Sequence, residues 1–382
     1  MYTLQDVIEL TKRLVAIEST NVGTFEKEIG DFIYDWMVRE TGVEVVRDEF
    51  AKDRFNVMAL LPGEISDPAF VLIGHMDTVP VGEGWEHDPF ACETVGDQMY
   101  GRGADDMKSG LAIAMLLFRD IVKSGRKPKH SLIFAASADE EDCMSGAEQM
   151  LKSGYVTKNS WVVDLDSVNE TISQGHKGKC WYEIVAEGKA AHSSTPHLGV
   201  DAIAAMAEVV SSIRKRLALY PKHPGFGSCT VCFGTIQGGE NTNMVSDKVT
   251  LKIDIRLAPP LTEDGCDKLV DAAIADAERE VPSIKITYDR FASKPCVDVD
   301  ASSALVCAFQ TAIREETGEE LEPVIFTGYT DSGVIAARTG NINCVSYGAT
   351  GGNIHKANEW VSIASLERVN KVITKVVKRL IF

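Results

Sequence analysis

The chain is organised around the stretch from Tyr100 to Gly110, which has the sequence Tyr-Gly-Arg-Gly-Ala-Asp-Asp-Met-Lys-Ser-Gly. It places two carboxylates in a glycine-rich turn, directly before an apolar segment that is predicted to form a helix from about Lys108 to Ser124. A tight turn that glycine permits can hold a neighbouring side chain in one direction. We therefore expect Asp106 to face a site.

Three apolar segments elsewhere in the chain end in acidic or imidazole side chains. Phe70-Val71-Leu72-Ile73 runs into Gly74-His75-Met76-Asp77, Leu132-Ile133-Phe134-Ala135-Ala136 precedes Asp139-Glu140-Glu141-Asp142, and Val162-Val163 precedes Asp164 and Asp166. In open α/β sheets, sites form at the carboxyl ends of the strands. Carboxylates that converge there repel one another unless a cation lies among them. The sequence therefore predicts a metal site.

The candidate site residues share a position just after an apolar strand or in a glycine-rich loop. They are His75, Asp77, Asp106, Glu140, Glu141, Asp166 and His355. Mixed imidazole and carboxylate ligands suit zinc, manganese or cobalt better than calcium or magnesium. Glu140 and Glu141 are adjacent, so one can bind metal while the other acts as a general base on the attacking water. Asp77, two residues after His75, is expected to support the imidazole ring.

The order of the predicted elements indicates two domains, which suits a length of 382 residues. Strands and helices alternate in the first and last parts of the chain, which predicts a mainly parallel sheet covered by helices. The middle part reads β-α-β-β-α-β, the ferredoxin-like split unit. We expect a catalytic metal-binding domain formed by residues 1–177 and 293–382, with an inserted α+β domain of residues 178–292 between them.

Composition excludes several classes of partner. The chain has 56 acidic and 39 basic residues, a net charge of −17, which argues against binding to nucleic acid or to a membrane surface. No apolar run reaches the ~18 residues of a membrane span, and no secretion signal is visible at the N-terminus. The nine cysteines lack the spacing of a disulfide framework. These features predict a cytoplasmic protein.

Five motifs follow one another between residues 75 and 359. They are His75-Met76-Asp77-Thr78-Val79-Pro80, Gly101-Arg102-Gly103-Ala104-Asp105-Asp106-Met107-Lys108, Asp139-Glu140-Glu141, Gly188-Lys189-Ala190-Ala191-His192-Ser193-Ser194 and Ile354-His355-Lys356-Ala357-Asn358-Glu359. Together they resemble the di-zinc hydrolases related to acetylornithine deacetylase and succinyl-diaminopimelate desuccinylase. That family also includes aminoacylases, carboxypeptidase G and peptidase T. The resemblance covers nearly the whole chain.

The resemblance implies two metal ions per chain and a role for each candidate. Asp106 would bridge the ions, His75 and Asp166 would complete one site, Glu141 and His355 would complete the other, and Glu140 would be the general base. Relatives usually carry Gly-Glu-Pro where this chain has Leu165-Asp166-Ser167. Asp166 is chosen because it lies ten residues before His176, the spacing expected in the family. Asp164 is the alternative ligand.

The resemblance also implies a role for the inserted domain, which supports a homodimer in relatives. His192 would stabilise the oxyanion in the partner subunit's active site, and Asn243 and Arg256 resemble the residues that hold the substrate's carboxylate. A guanidinium group suits a carboxylate because its N–H groups form a matching fork.

The expected reaction is hydrolysis of the amide bond of an N-acyl amino acid, of the deacetylase or desuccinylase type. Two divalent ions, zinc or else cobalt or manganese, would activate the water. The loop Gly328-Tyr329-Thr330-Asp331-Ser332-Gly333 is also similar to that of dipeptidases and tripeptidases, so exopeptidase activity is the alternative. A more distant alternative is a non-catalytic, metal-stabilised dimeric binding module, although such a protein has no need of a base such as Glu140.

Overall fold

The computed structural model describes residues 2–382, and the chain forms two compact units. The first unit contains the chain up to Gly175 together with Asp298–Phe326 and Thr330–Phe382, and the second contains His176–Val297 with Thr327–Tyr329. Two backbone hydrogen bonds between His176 and Val297, at 2.8 and 2.9 Å, join the ends of the second unit. The second unit therefore extends a few residues beyond the expected inserted segment at both ends.

The helices and strands within residues 2–382 have the following bounds. The α-helices are α1 (Leu4–Val15), α2 (Lys27–Thr41), α3 (Ser109–Lys123), α4 (Ser145–Lys152), α5 (Ala202–Leu217), α6 (Glu263–Glu280), α7 (Ala304–Thr317), α8 (Asp331–Thr339) and α9 (Ile363–Ile381). The strands are β1 (Val45–Ala51), β2 (Arg54–Leu61), β3 (Ile65–His75), β4 (Glu93–Val95), β5 (Gln98–Tyr100), β6 (His130–Ser137), β7 (Trp161–Asp164), β8 (Ser173–His176), β9 (Gly178–Glu187), β10 (Thr230–Gly238), β11 (Lys248–Leu257), β12 (Lys285–Lys294), β13 (Val324–Phe326), β14 (Cys344–Ser346), β15 (Gly351–Gly352) and β16 (Trp360–Ser362).

The first unit is built on an eight-stranded sheet in the order β1-β2-β6-β3-β7-β14-β8-β13. Its central strands β6, β3, β7 and β14 run parallel, while β1 and β2 pair antiparallel at one side. Residues 69–75 of β3 are all buried, as is typical of a strand covered on both faces. Helix α3 is buried on almost every side and packs on β3 and β6. The mainly parallel sheet covered by helices is confirmed.

The second unit is an antiparallel sheet in the order β10-β11-β9-β12 with two helices, α5 and α6. Its chain order, β9-α5-β10-β11-α6-β12, is the β-α-β-β-α-β arrangement that the sequence predicts. Strand β11 alternates along its length, with Val249, Leu251, Ile253 and Ile255 buried. This alternation gives the sheet one apolar face, and helices α5 and α6 pack on the same core.

A third sheet in the first unit, ordered β15-β16-β5-β4, was not predicted. Its strands are two or three residues long, too short to leave a periodic pattern in the sequence. Trp360 pairs with Tyr100 and with Gly352. This small sheet fixes the start of the Asp106 turn beside the loop that carries His355. No helix within residues 2–382 has both the length and the apolar character needed to cross a membrane.

Candidate metal centre

The candidate centre lies at the carboxyl ends of three neighbouring parallel strands. Strand β3 ends at His75, and its neighbours β6 and β7 lead into Glu140 and Asp166. Parallel strands bring the side chains that follow them to one edge of the sheet. Asp106 comes from the short helical turn Ala104–Lys108, immediately before α3. The fold therefore assembles residues that are far apart in the sequence.

Asp106 lies between two imidazole rings. Its Oδ1 atom is 3.0 Å from Nε2 of His75, and its Oδ2 atom is 3.3 Å from Nε2 of His355. The same nitrogen of His355 is 3.0 Å from Oε2 of Glu141. Nδ1 of His75 lies 2.9 Å from the backbone carbonyl of Asp77, a contact that requires a proton on Nδ1 and leaves the Nε2 lone pair for a metal ion.

The described residues contain two groups of ligand-type side chains that could each hold one metal ion. One is His75, Asp106 and Asp166, and the other is Asp106, Glu141 and His355. Within each group the ligand atoms lie within 4.8 Å of one another, and Asp106 belongs to both. Asp164, the alternative to Asp166, belongs to neither group and instead accepts the backbone N–H of Ser332 at 3.1 Å. One imidazole and two carboxylates per group are a donor set that fits zinc, cobalt or manganese.

The pKa shifts of the buried side chains indicate that the centre is suited to hold positively charged ions. Burial raises the pKa of Asp166 well above its usual range, and the charge of Asp106 adds to the shift. Burial also raises the pKa of Glu140, again well above its usual range. Hydrogen bonds to Asp106 and Glu141 raise the pKa of His355 to about 10. The carboxylates of Asp166 and Glu140 are thus disfavoured as anions and the imidazole of His355 is favoured as a cation, and divalent ions would satisfy the same demand.

Asp77 holds the turn that carries Glu140 and Glu141. Its Oδ1 and Oδ2 atoms accept the backbone N–H groups of Glu140 and Glu141, both at 3.1 Å. Its carboxylate is 3.9 Å from Nδ1 of His75, so its close contact with the imidazole is made by the backbone carbonyl. Glu140 is buried, and its Oε1 atom has no hydrogen-bond partner among residues 2–382. This leaves one oxygen of Glu140 available for a water or a substrate.

A buried polar network behind Asp77 was missed by the sequence reasoning. The side-chain amide of Asn21 donates to Asp77 at 2.9 Å and to Asp139 at 3.1 Å. Arg54 donates to Asp139 at 2.8 Å and also pairs with Glu26. Asn21, Glu26 and Arg54 lie far from the acidic strand ends in sequence, and no motif or periodicity marks them.

Two glycines make room for the backbone that carries Asp166. A Cβ atom at Gly110 in α3 would lie 2.2 Å from the carbonyl oxygen of Leu165, and one at Gly348 would lie 2.1 Å from that of Asp166. Both distances are far below any van der Waals contact, so only glycine permits this packing. The backbone of Leu165 and Asp166 therefore packs closely between α3 and the residues after β14.

The remaining candidates, His192, Asn243 and Arg256, belong to the second unit. Nδ1 of His192 accepts the backbone N–H of Ser194 at 3.1 Å, so in the neutral ring the proton is on Nε2. The backbone carbonyl of Asn243 accepts the N–H of Ser193 at 2.9 Å, which joins the two loops. Arg256 on β11 contacts Asp254 through Nε and Nη2 at 3.0 and 2.9 Å.

Known proteins resemble this chain in sequence and in fold. Residues 71–379 match the model of peptidase family M20/M25/M40. An acetylornithine deacetylase from Aliivibrio salmonicida is 30% identical over 293 residues, which cover 75% of each chain. The crystal structure of a tripeptidase from Staphylococcus aureus superposes with a TM-score of 0.79 at 23% identity and 99% coverage of both chains. A dinuclear metal-binding peptidase of the M20 family from Bacillus subtilis superposes with a TM-score of 0.69 at 15% identity, covering 98% of this chain and 97% of that one.

The family match covers most of the chain, and all five motifs that carry the resemblance lie inside the matched region. The resemblance that the motifs indicate is therefore confirmed, and so is the expected reaction class. This chain belongs to peptidase family M20/M25/M40 and is a metal-dependent hydrolase.

Proposed function

We propose that this chain hydrolyses the amide bond of an N-acyl amino acid, as a deacetylase or desuccinylase does. The observation that carries the proposal is Glu140, a buried carboxylate with one unpartnered oxygen, next in sequence to Glu141 of the ligand groups around Asp106. A protein that only bound metal would gain nothing from such a group. The similarity to acetylornithine deacetylase, at 30% identity, supports an acylated amino acid as the substrate.

Five residues would hold two divalent ions, which we propose to be zinc, with cobalt or manganese as substitutes. They are His75 and Asp166 for one ion, Glu141 and His355 for the other, and Asp106 for both. When bound, the ions polarise the amide carbonyl and lower the pKa of the attacking water towards ~7.

The chain's own residues then move the proton. Glu140 takes a proton from water as the water oxygen attacks the amide carbon, and returns it to the nitrogen as the carbon–nitrogen bond breaks. The products are a carboxylic acid and an amino acid. Asp77 keeps Glu140 in place by accepting its backbone N–H.

His192, Asn243 and Arg256 would bind the substrate. His192 carries its proton on Nε2, and this tautomer can donate a hydrogen bond from Nε2–H to the oxyanion. Arg256 has N–H groups beyond those that contact Asp254, so its guanidinium can bind a substrate carboxylate together with the side chain of Asn243.

We propose further that the protein is a homodimer formed through the second unit, with His192 acting in the partner subunit's active site. Strand β10 lies at an edge of its sheet, and Ile236 on it is 60% exposed. Ile203 and Met244 are also exposed apolar side chains of this unit. An edge strand with exposed apolar side chains is suited to pairing with a second copy.

The remaining proposals concern the cellular location of the enzyme and the classes of partner that it does not bind. All nine cysteines are free thiols, which suits a reducing cytoplasm. The net charge of −17 supports the proposal that neither nucleic acid nor a membrane surface is a partner.

The test is a parallel assay of the zinc-loaded protein on acetyl-ornithine, succinyl-diaminopimelate and a set of dipeptides and tripeptides. The proposal predicts that an acylated amino acid has the highest kcat/KM. A higher kcat/KM for peptides would favour the exopeptidase alternative, to which the loop around Thr330 is similar. Turnover of none of these substrates would contradict both.

A further inference from the structure

Glu359 holds the turn that carries Asp106, although it is not a candidate ligand. Its side chain is 1% exposed. Oε1 accepts the backbone N–H groups of Asp105 and Asp106 at 3.0 and 3.1 Å, and Oε2 accepts that of Gly103 at 3.1 Å. Its backbone carbonyl also accepts the N–H of Gly101 at 2.9 Å. Glu359 therefore accepts four of the six backbone N–H groups from Gly101 to Asp106.

Arg102 neutralises Glu359 and extends the network to two further loops. Its Nη1 atom is 2.5 Å from Oε2 of Glu359, and its side chain is only 2% exposed. Nη2 lies 3.3 Å from the backbone carbonyls of Pro80 and Val81 and 3.1 Å from that of Lys356. These carbonyls belong to the loop that follows His75 and to the residue directly after His355.

One buried ion pair thus contacts the loop that follows His75, the turn that carries Asp106 and the loop that carries His355. Both oxygens of Glu359 are occupied by N–H donors, so Glu359 is not free to bind a metal ion itself. The backbone of Asp106, by contrast, depends on Glu359 for the hydrogen bond of its N–H group. Since each oxygen of Asp106 faces a different imidazole, a small rotation of the turn would spoil both contacts at once.

We propose that Glu359 is a positioning residue that fixes Asp106 between His75 and His355 and thereby sets the affinity for metal. The inference rests on the proposed function, because it takes Asp106 as the ligand shared by two ions. If the ion pair between Arg102 and Glu359 only stabilised the fold, its removal would lower the free energy of unfolding without a comparable change in metal affinity.

The test compares the wild type with Glu359→Gln in a zinc titration of the metal-free protein against a chromophoric chelator. A carboxamide has one acceptor oxygen, and its NH₂ group would face an N–H group or the guanidinium of Arg102. Groups that orient metal ligands typically contribute about 10–100-fold to metal affinity, and we expect a loss of that size in Glu359→Gln. Val376→Ala, which leaves a cavity in the buried face of α9, is the control. It should lower the melting temperature and leave zinc affinity unchanged.

Glu359→Asp is the second variant in case Glu359→Gln does not fold. Its charge is retained, but the shorter side chain cannot reach all three N–H groups, so zinc affinity should again fall. Wild-type affinity in either folded variant would overturn the inference and leave the proposed function intact. Failure of the wild type itself to bind zinc, cobalt or manganese would instead contradict the proposed function.

Discussion

Asp77 accepts the backbone N–H of Glu140 at 3.1 Å through Oδ1, and its second oxygen accepts the N–H of Glu141 at the same distance. One buried carboxylate therefore holds both the proposed base and a proposed ligand. The side-chain amide of Asn21 donates a hydrogen bond to Oδ2 of Asp77 at 2.9 Å, which further restrains this carboxylate. The position of the proposed base is thus set by the hydrogen bond from its backbone N–H to Asp77.

Asp77→Asn tests this arrangement. The carboxamide keeps one acceptor oxygen, so one of the two N–H groups loses its partner and meets an NH₂ group instead. An unsatisfied buried donor costs about 1–3 kcal/mol, and we expect the free energy of unfolding to fall by that amount. Because the turn also carries Glu140, kcat at saturating metal should fall by roughly tenfold or more. Asp142→Asn, on the same turn, is the matched control, and equal losses in the two variants would argue against a positioning role for Asp77.

The two proposed ions should leave the protein in a fixed order. The side chain of His75 is 1% exposed, whereas that of His355 is 53% exposed. Water and chelators therefore reach the His355 group more easily. Dialysis against increasing chelator, followed by metal analysis, should remove one ion before the other, and His355→Ala should retain only the more resistant ion. Loss of both ions from His355→Ala would contradict this order.

Gly110→Ala should weaken the segment that carries Asp166. The new methyl group would lie 2.2 Å from the carbonyl oxygen of Leu165, and backbone cannot yield as a flexible side chain can. Overpacking of this kind costs about 1–3 kcal/mol, which chemical denaturation would measure. Gly265→Ala in α6 is the control, since its methyl group would meet mainly the side chain of Leu261 at 3.0 Å. Similar stability of the two variants would show that the Leu165 segment has room to move.

The reactivity of the thiols should follow their burial. Burial raises the pKa of Cys92 to about 12, and only the thiolate reacts readily with alkylating agents. Iodoacetamide at pH 8 should modify the exposed Cys143, Cys232 and Cys307 and leave Cys92 unmodified until denaturant is added. Peptide mass spectrometry would locate the labels. Rapid labelling of Cys92 in the native protein would mean that the region around it opens.

The dimer proposal predicts the effect of a charge on β10. Ile236 is 60% exposed, so Ile236→Lys should fold normally and place a charge on the edge that we expect to pair. Light scattering should give twice the chain mass for the wild type and the single chain mass for the variant. Leu219→Lys, an 83% exposed site on the same unit after α5, is the control and should remain dimeric. A monomeric wild type would contradict the proposal.

The sequence allowed the fold and the candidate ligands to be predicted because both leave strong local signals. Apolar runs such as the one before His75 mark buried parallel strands, and the acidic residues that follow them mark the sheet edge where sites form. The β-α-β-β-α-β order of the second unit was visible for the same reason.

The supporting contacts could not be predicted, because they join residues that carry no local pattern. Nothing near Asn21 indicates that its amide reaches Asp77, and Arg102 and Glu359 appeared only as members of motifs. Their hydrogen bonds depend on the small sheet of β4, β5, β15 and β16, whose strands are too short to predict. The carboxylate of Asp77 likewise turns towards backbone N–H groups that only the folded turn presents to it.

The most direct test of the account is to measure metal content and turnover together in the wild type and in Glu140→Ala. The protein should be purified without added metal, then supplemented, and its ions counted by mass spectrometry. We predict two ions per chain in both proteins, hydrolysis of an acylated amino acid by the wild type, and no turnover by Glu140→Ala. Wild-type activity in Glu140→Ala, or a wild type that binds no metal even after supplementation, would contradict the account.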